Sequence, residues 1–142
     1  MNILKVLTKK RITGNIGEDA AARFLKRQGY KILERNFVAS GHEVDIIAAK
    51  GDYLCFTEVK SRTRGSESPM ESRPAASVNY EKQRSLISVA RTYFPDDNKR
   101  RKIRFDVIEV YLNKDGKAEE IIHMEDAFRA DSHQAKWKGK HL

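Results

Sequence analysis

Apolar residues recur at helical spacing in two parts of the chain and follow strand-like patterns between them. The first helical pattern lies near the N-terminus and ends before Gly29, a typical C-terminal stop, so it predicts a helix from Asn15 to Gln28. The second begins at Ser77 and ends near Phe94-Pro95, where proline disfavours further helix. Its apolar stripe consists of Val78, Leu86, Val89, Ala90 and Tyr93.

Five segments have the apolar content and bounding turn residues of β-strands. They are Tyr30 to Phe37, Glu43 to Ala49, Tyr53 to Lys60, Ile103 to Leu112 and Ala118 to Met124. The resulting order α-β-β-β-α-β-β predicts an α/β fold with a central mixed sheet flanked by helices. Residues 62–76, rich in Ser, Arg, Gly and Pro, predict a long loop. We expect a single domain over residues 1–128 and a flexible basic tail over 129–142.

Composition narrows the class of partner. A formal net charge of +8 and a pI near 9.6 favour a polyanion, since Lys and Arg that neutralise phosphates release condensed counterions. Nucleic acid is the first expectation and an anionic membrane surface the second. No segment approaches the ~20 apolar residues of a membrane span, and the N-terminus lacks the order of a secretory signal, so we expect a cytoplasmic protein. The chain has a single cysteine, Cys55, and four dispersed histidines. None of them has the spacing of zinc ligands, so we expect no structural zinc site.

The predicted hairpin between the second and third strands has a defined register. A type II′ turn favours glycine at its first central position, and Gly51-Asp52 fits that rule. Counting outward then pairs Lys50 with Tyr53, Ala48 with Cys55, Asp45 with Glu58 and Glu43 with Lys60. Side-chain alternation predicts that Asp45, Glu58, Glu43 and Lys60 share one face, with Val44, Ile46, Thr57 and Val59 on the other. A loop at Lys50-Gly51 keeps this facing, whereas a three-residue loop breaks it.

The opposed acids Asp45 and Glu58 indicate a metal site. Carboxylates directly across a strand pair lie ~5 Å apart and repel, but together they can bind a hard cation such as Mg²⁺ or Mn²⁺ through oxygen. Lys60 projects on the same side and can stabilise charge that develops on a phosphodiester. Glu18, early in the first helix, is the third candidate acid. The alternative for Glu58 and Lys60 is an ordinary solvated strand edge.

Several segments resemble the YraN family, which is grouped with restriction-endonuclease-like proteins and is similar to archaeal Holliday junction resolvases. They occur in the family's order between about Gly14 and Phe128: Gly17 to Ala21, Tyr30 to Phe37, Glu43 to Ala48, Phe56 to Arg62 and Arg104 to Val107. The resemblance implies a nuclease triad of Asp45, Glu58 and Lys60, with Glu18 as the helix-borne acid and Mg²⁺ as the metal. It also implies a restriction-endonuclease-like fold. The chain departs from the family where His42 separates Gly41 from Glu43, so His42 is either an additional polar group near the site or a surface histidine.

Basic residues near these motifs are candidate phosphate contacts, which would position a duplex without reading its bases. They are Arg62, Arg64, Arg73, Lys82, Arg84, Lys99, Arg100 and Arg101. A solvated charged face is the alternative for each. Trp137 is either a base-stacking residue or part of a disordered tail. We expect Asp106 to be structural, stabilising a neighbouring arginine.

The sequence therefore predicts a Mg²⁺-dependent or Mn²⁺-dependent endonuclease that acts on DNA, at branched or damaged structures rather than at one base sequence. A nucleic-acid-binding module without turnover remains an alternative, as does a protein-interaction domain whose basic surface is incidental. Cutting of a junction would imply a homodimer, since two matched strands must be cut.

Overall fold

The residues that the structure describes form one five-stranded mixed sheet with a helix on each face. The computed structural model describes residues 3–64 and 78–131, with side chains from Asn15 onward. Its elements are α1 (Ile3–Arg27), β1 (Lys31–Ala39), β2 (His42–Lys50), β3 (Tyr53–Thr63), α2 (Tyr80–Thr92), β4 (Lys102–Leu112) and β5 (Ala118–Phe128). The predicted fold class and element order are confirmed. Arg73, Trp137 and most of the predicted loop and tail lie outside the described residues.

The helix α1 is longer than predicted. It begins at Ile3 rather than Asn15, so Gly14 lies within the helix instead of preceding it. Glycine inside a helix costs about 1 kcal/mol relative to alanine, which makes it a weak rather than an absolute stop. The predicted C-terminal stop is confirmed: Gly29 has a φ of 91°, and the Tyr30 amide donates to the Leu25 carbonyl at 2.9 Å.

The strands lie in the spatial order β1-β2-β3-β4-β5. All neighbours are antiparallel except β3 and β4, which are parallel and connected through α2. The predicted register of the β2–β3 hairpin is confirmed near the turn, because Lys50 pairs with Tyr53 and Ala48 pairs with Cys55. The described pairs end at Ile46 and Thr57, so the predicted pairs Asp45–Glu58 and Glu43–Lys60 are not among them. Gly51 at the turn has a φ of 55°.

Two hydrophobic cores cover the two faces of the sheet. The first packs α1 against side chains such as Ile46 and Val59, and the second packs α2 against side chains such as Val44 and Phe56. The predicted facing is therefore wrong at one point, since Val44 and Ile46 lie on opposite faces although two residues apart. Strict alternation is interrupted at the intervening Asp45. By count along the β1–β2 pairs, Asp45 lies opposite Asn36, whose φ of 51° turns the β1 backbone at the same level.

Candidate active site

Asp45 lies where the β2–β3 ladder ends. The described pairs of this ladder stop at Ile46 and Thr57. Beyond that point, the Asp45 carboxylate accepts a hydrogen bond from the Val59 amide, with Oδ2 2.8 Å from the nitrogen. A side-chain oxygen thus satisfies a β3 backbone donor that a strand carbonyl would otherwise satisfy. The interrupted ladder places Asp45 between the two faces of the sheet, within electrostatic reach of acids from both sides.

Glu58 approaches this point from the α2 side of β3. Its side chain is buried, with a relative exposure of 5% for the residue, so a solvated strand edge is the wrong interpretation of this glutamate. Within the described residues, its Oε2 atom is buried without a hydrogen-bond partner. Burial and the nearby charge of Asp45 raise the pKa of Glu58 to about 7, against the opposing effect of Lys82 and Lys60. The structure therefore places an acid where its ionised form needs a cation.

Glu18 reaches Asp45 from the α1 side. The approach of α1 depends on Gly17, since a Cβ there would lie 1.7 Å from Oγ of Ser61 on β3. With its amide nitrogen turned toward the carboxylate, Asn36 donates to both Glu18 oxygens, at 2.9 and 3.1 Å. Burial, the charge of Asp45 and a hydrogen bond with the Asp45 side chain raise the pKa of Glu18 to about 7. Asn36 and Arg35 act in the opposite direction.

Lys60 lies at the open edge of the acid cluster. Its Nζ is 3.7 Å from Oε1 of Glu58, and its side chain is 39% exposed. The ammonium group is thus close to the buried acid and still accessible from solvent. This is the position from which a lysine can contact an incoming anion.

The donor set fits a hard divalent cation. Three carboxylates adjoin one another, two have raised pKa values, and one oxygen is buried without a hydrogen-bond donor. Oxygen donors of this type are those that Mg²⁺ prefers, and Mg²⁺ commonly uses one or two carboxylates while it keeps several waters. Residues 15–64 and 78–131 contain no group of three or more acidic, histidine or cysteine side chains already arranged around a common metal position. The fit is therefore to a site of one or two direct carboxylate ligands.

Comparison with known proteins places the chain in a family. The model described as "Uncharacterised protein family UPF0102" matches residues 17–110, a span that contains Glu18, Asp45, Glu58 and Lys60. The chain belongs to the UPF0102 family. It is 39% identical to a UPF0102 protein of Caldanaerobacter subterraneus subsp. tengcongensis over 127 residues, covering 88% of this chain and 100% of that protein.

Two clostridial UPF0102 proteins give the same assignment. The protein of Clostridium perfringens is 44% identical over 117 residues, covering 82% of this chain and 93% of the relative. That of Clostridium beijerinckii is 42% identical over 121 residues, covering 82% and 92% respectively. The similarity therefore extends over nearly the whole length of each relative.

Two of the predicted phosphate contacts in this UPF0102 protein are engaged in internal ion pairs. Arg62 donates through Nε to buried Glu109 at 2.8 Å, and Tyr111 donates to the same carboxylate at 2.9 Å. Arg64 pairs with Glu119 and Glu120 on β5. Arg62 therefore ties β3 to β4, and Arg64, just beyond the end of β3, pairs with β5 on the far side of β4.

The second predicted basic run lies away from the acids. Lys99, Arg100 and Arg101 precede β4, whose first residue, Lys102, pairs with Tyr53. Glu58 lies five residues further along β3, about 16 Å away at the usual strand rise. Arg101 is also bound to Asp97 through both of its terminal nitrogens. The structure therefore does not bring this run to the acid cluster.

The two predicted phosphate contacts on α2 differ in where their side chains lie. Arg84 is exposed on α2, as a solvent-facing phosphate contact would be. Lys82 instead turns into the acid cluster, with its Nζ 3.5 Å from Oε2 of Glu58. Lys82 is thus part of the site itself, a role that sequence spacing did not indicate.

The sequence pattern did not identify Asn36 and Arg35 as site residues, because both residue types are common in strands and loops without any functional role. Asn36 within a predicted strand was a mild indication of irregular backbone, since asparagine tolerates positive φ. Arg35 is 2.7 Å from Asp19 and 3.9 Å from Glu18, and it carries no motif of its own. His42 pairs with Ala39 at the β1–β2 turn.

Asp106 has the expected structural role. It is fully buried and accepts hydrogen bonds from Arg104 and from the Asp126 amide, and it bonds to His123 at 2.8 Å.

Within the described part of the chain, neither helix has the length and apolar run needed to cross a bilayer.

Proposed function

We propose that this UPF0102 protein is a divalent-metal-dependent endonuclease that hydrolyses phosphodiester bonds in DNA. The observation that carries the proposal is the meeting of Glu18, Asp45 and Glu58 at the end of the β2–β3 ladder, with Lys60 at the open edge. A cluster of acids with raised pKa values is costly unless a cation compensates it, and such clusters are enriched at functional sites.

Each residue has a defined role in this proposal. Asp45 and Glu58 hold Mg²⁺ or Mn²⁺, and Glu18 assists directly or through a water molecule. A metal bound there supplies an activated water and stabilises charge on the phosphate. Lys60, accessible beside Glu58, holds the phosphate oxygen on which negative charge develops. Asn36 and Arg35 orient Glu18 from β1.

The substrate class follows from charge and from resemblance. A net charge of +8 supports a polyanionic substrate. The resemblance to the YraN family, with its restriction-endonuclease-like grouping and its similarity to junction resolvases, supports DNA and in particular branched DNA. Cutting of a four-way junction would further require a homodimer, because the two matched strands are cut symmetrically.

The test is cleavage of an end-labelled four-way junction and a matched linear duplex, with Mg²⁺, Mn²⁺ or EDTA. The wild-type protein should cut with either metal and remain inactive in EDTA. Asp45→Asn and Lys60→Ala should each lose about 100-fold or more in cleavage rate while they still bind the junction. Asp52→Asn and Lys31→Ala, matched changes at exposed positions, should cut as the wild type does. Tight binding with no cleavage of any DNA form would reject the proposal.

One observation favours a second candidate, a DNA-binding module that does not cut. Glu58 already faces Lys60 and Lys82, and the described acids are not arranged as a preformed group of three metal ligands. In that case Asp45→Asn would leave DNA binding unchanged, and the wild-type protein would show no metal-dependent cleavage. DNA affinity that barely depends on salt would point instead to a protein-interaction domain.

A further inference from the structure

Both oxygens of the Glu58 carboxylate face an ammonium group. Lys60 of the same strand lies 3.7 Å from Oε1, and Lys82 of α2 lies 3.5 Å from Oε2. The two lysines differ in their surroundings, because Lys82 also donates a 3.1 Å hydrogen bond to the Glu43 carbonyl on β2. Lys82 therefore connects α2 to both strands that form the acid cluster.

The first turn of α2 fixes the backbone of Lys82. Asn79 is the N-cap, and its side chain accepts a hydrogen bond from the Lys82 amide at 2.8 Å. The Gln83 side chain donates to the Val78 carbonyl at 3.1 Å, which holds the same turn from the other side. The Lys82 side chain is 30% exposed, so its ammonium can face either the acid or the solvent after a change of rotamer.

The Oε2 atom of Glu58 is the position at which two cations would compete. It is buried and has no hydrogen-bond partner in the described residues, so Lys82 at 3.5 Å compensates its charge without a directed hydrogen bond. A divalent metal ion bound to this oxygen would compensate the same negative charge at a shorter distance. An ammonium and a divalent cation repel each other, so this one oxygen atom favours one of them at a time.

We propose that Lys82 is a positioning residue that occupies the cation position at Oε2 of Glu58 in the metal-free protein and leaves it when a divalent cation binds. The inference rests on the proposed metal-dependent function and assigns a residue that controls access of the metal to the site. Its consequence has a definite sign: removal of the lysine charge makes metal binding tighter and the metal-free protein less stable.

The experiment measures Mn²⁺ binding by electron paramagnetic resonance and thermal unfolding with EDTA or Mn²⁺, in the full chain without DNA. Lys82→Met should bind Mn²⁺ about fivefold more tightly than wild type, the effect of losing one partly exposed ion pair. Its melting temperature should fall in EDTA and return to the wild-type value with Mn²⁺. Lys82→Gln, which keeps a hydrogen-bond donor without the charge, should behave as Lys82→Met does, and Lys82→Arg should resemble wild type.

The matched control is Arg91→Met, which removes one exposed positive charge from the last turn of α2. Mn²⁺ affinity in that variant should equal that of wild type, which separates direct pairing from a change in net charge. Unchanged or weaker Mn²⁺ binding in both Lys82→Met and Lys82→Gln would overturn the inference while leaving the proposed function in place. Failure of the wild-type protein to bind Mn²⁺ at all would overturn both.

Discussion

Gly17 of α1 lies directly against Ser61 of β3, so close that a Cβ on residue 17 would lie 1.7 Å from the serine Oγ and 2.9 Å from its Cβ. This approach brings the next residue, Glu18, to the end of the β2–β3 ladder. The glycine is thus required by packing, at a position where helix propensity alone would favour alanine.

Gly17→Ala should therefore destabilise the protein despite the better helix propensity of alanine. Overpacking of this kind costs about 1–3 kcal/mol, more than the ~1 kcal/mol that propensity returns. Ser61→Gly removes both clashing atoms and leaves the Ser61 Cα at an ordinary 3.8 Å. In that background Gly17→Ala should become stabilising. Urea unfolding of the four proteins of this double-mutant cycle provides the measurement, and no change of sign between the backgrounds would refute the packing argument.

Stability without metal should fall as pH rises from about 4.5 to about 7. Burial, together with the charge of Asp45, raises the pKa of both Glu18 and Glu58 to about 7 from an ordinary 4.5. The folded state therefore binds more protons than the unfolded state in this window, and its stabilisation is lost as these groups ionise.

The measurement is urea unfolding between pH 4.5 and 8 in EDTA. The free energy of unfolding should fall by a total of the order of a few kcal/mol over this range. Glu58→Gln should remove part of this pH dependence. Glu81→Gln, an exposed acid on α2, should leave the profile unchanged. A rise in wild-type stability across this range would contradict the burial of these acids.

Asn36 should contribute to metal binding through its side-chain amide and to stability through its backbone conformation. Asn36→Gly keeps the positive φ and loses the hydrogen bonds to Glu18, whereas Asn36→Ala loses the bonds and also strains the backbone. The two variants should share the same loss of Mn²⁺ affinity, and the alanine variant should be less stable than the glycine variant by about 1 kcal/mol. Mn²⁺ titration and thermal unfolding separate the two effects. Equal stability would show that the φ of 51° carries no cost for alanine.

Asp106 should be essential for stability. Although burial acts to raise its pKa, hydrogen bonds with His123, Arg104 and the Asp126 amide hold the pKa of Asp106 below its usual range. Asp106→Ala leaves the partly buried Arg104 without its main partner, so the free energy of unfolding should fall by about 3–5 kcal/mol. Asp115→Ala, in an exposed turn, should change it little. A mild effect of Asp106→Ala in chemical denaturation would show that Tyr30 or Glu125 can replace the aspartate as partner.

Much of the architecture was already determined by the local sequence. Alternating and helical patterns predicted every helix and strand of the described chain in the correct order, because burial of one face imposes those periods. Gly51-Asp52 predicted the hairpin register, since only glycine adopts the first position of that turn at low cost. Gly29 likewise predicted the end of α1.

The arrangement of the site depended on contacts between distant parts of the chain. Alternation placed Asp45 and Glu58 on one face, but the change of facing between Val44 and Ile46 put Asp45 between two faces instead. That irregularity arises opposite Asn36, in a different strand, so no count along β2 alone can reveal it.

The sequence by itself determined the residue types, the strand order along the chain and the pairing of one hairpin, because these follow from local periodicity and turn chemistry. Only the tertiary structure decided which charged groups meet. Glu18 reaches Asp45, Lys82 turns toward Glu58 instead of toward solvent, and Arg62 binds Glu109. The physical reason is that charged side chains find their partners through packing of α1, α2 and β4 on the hairpin. That packing depends on close approaches such as the one between Gly17 and Ser61, and spacing along the chain does not encode them.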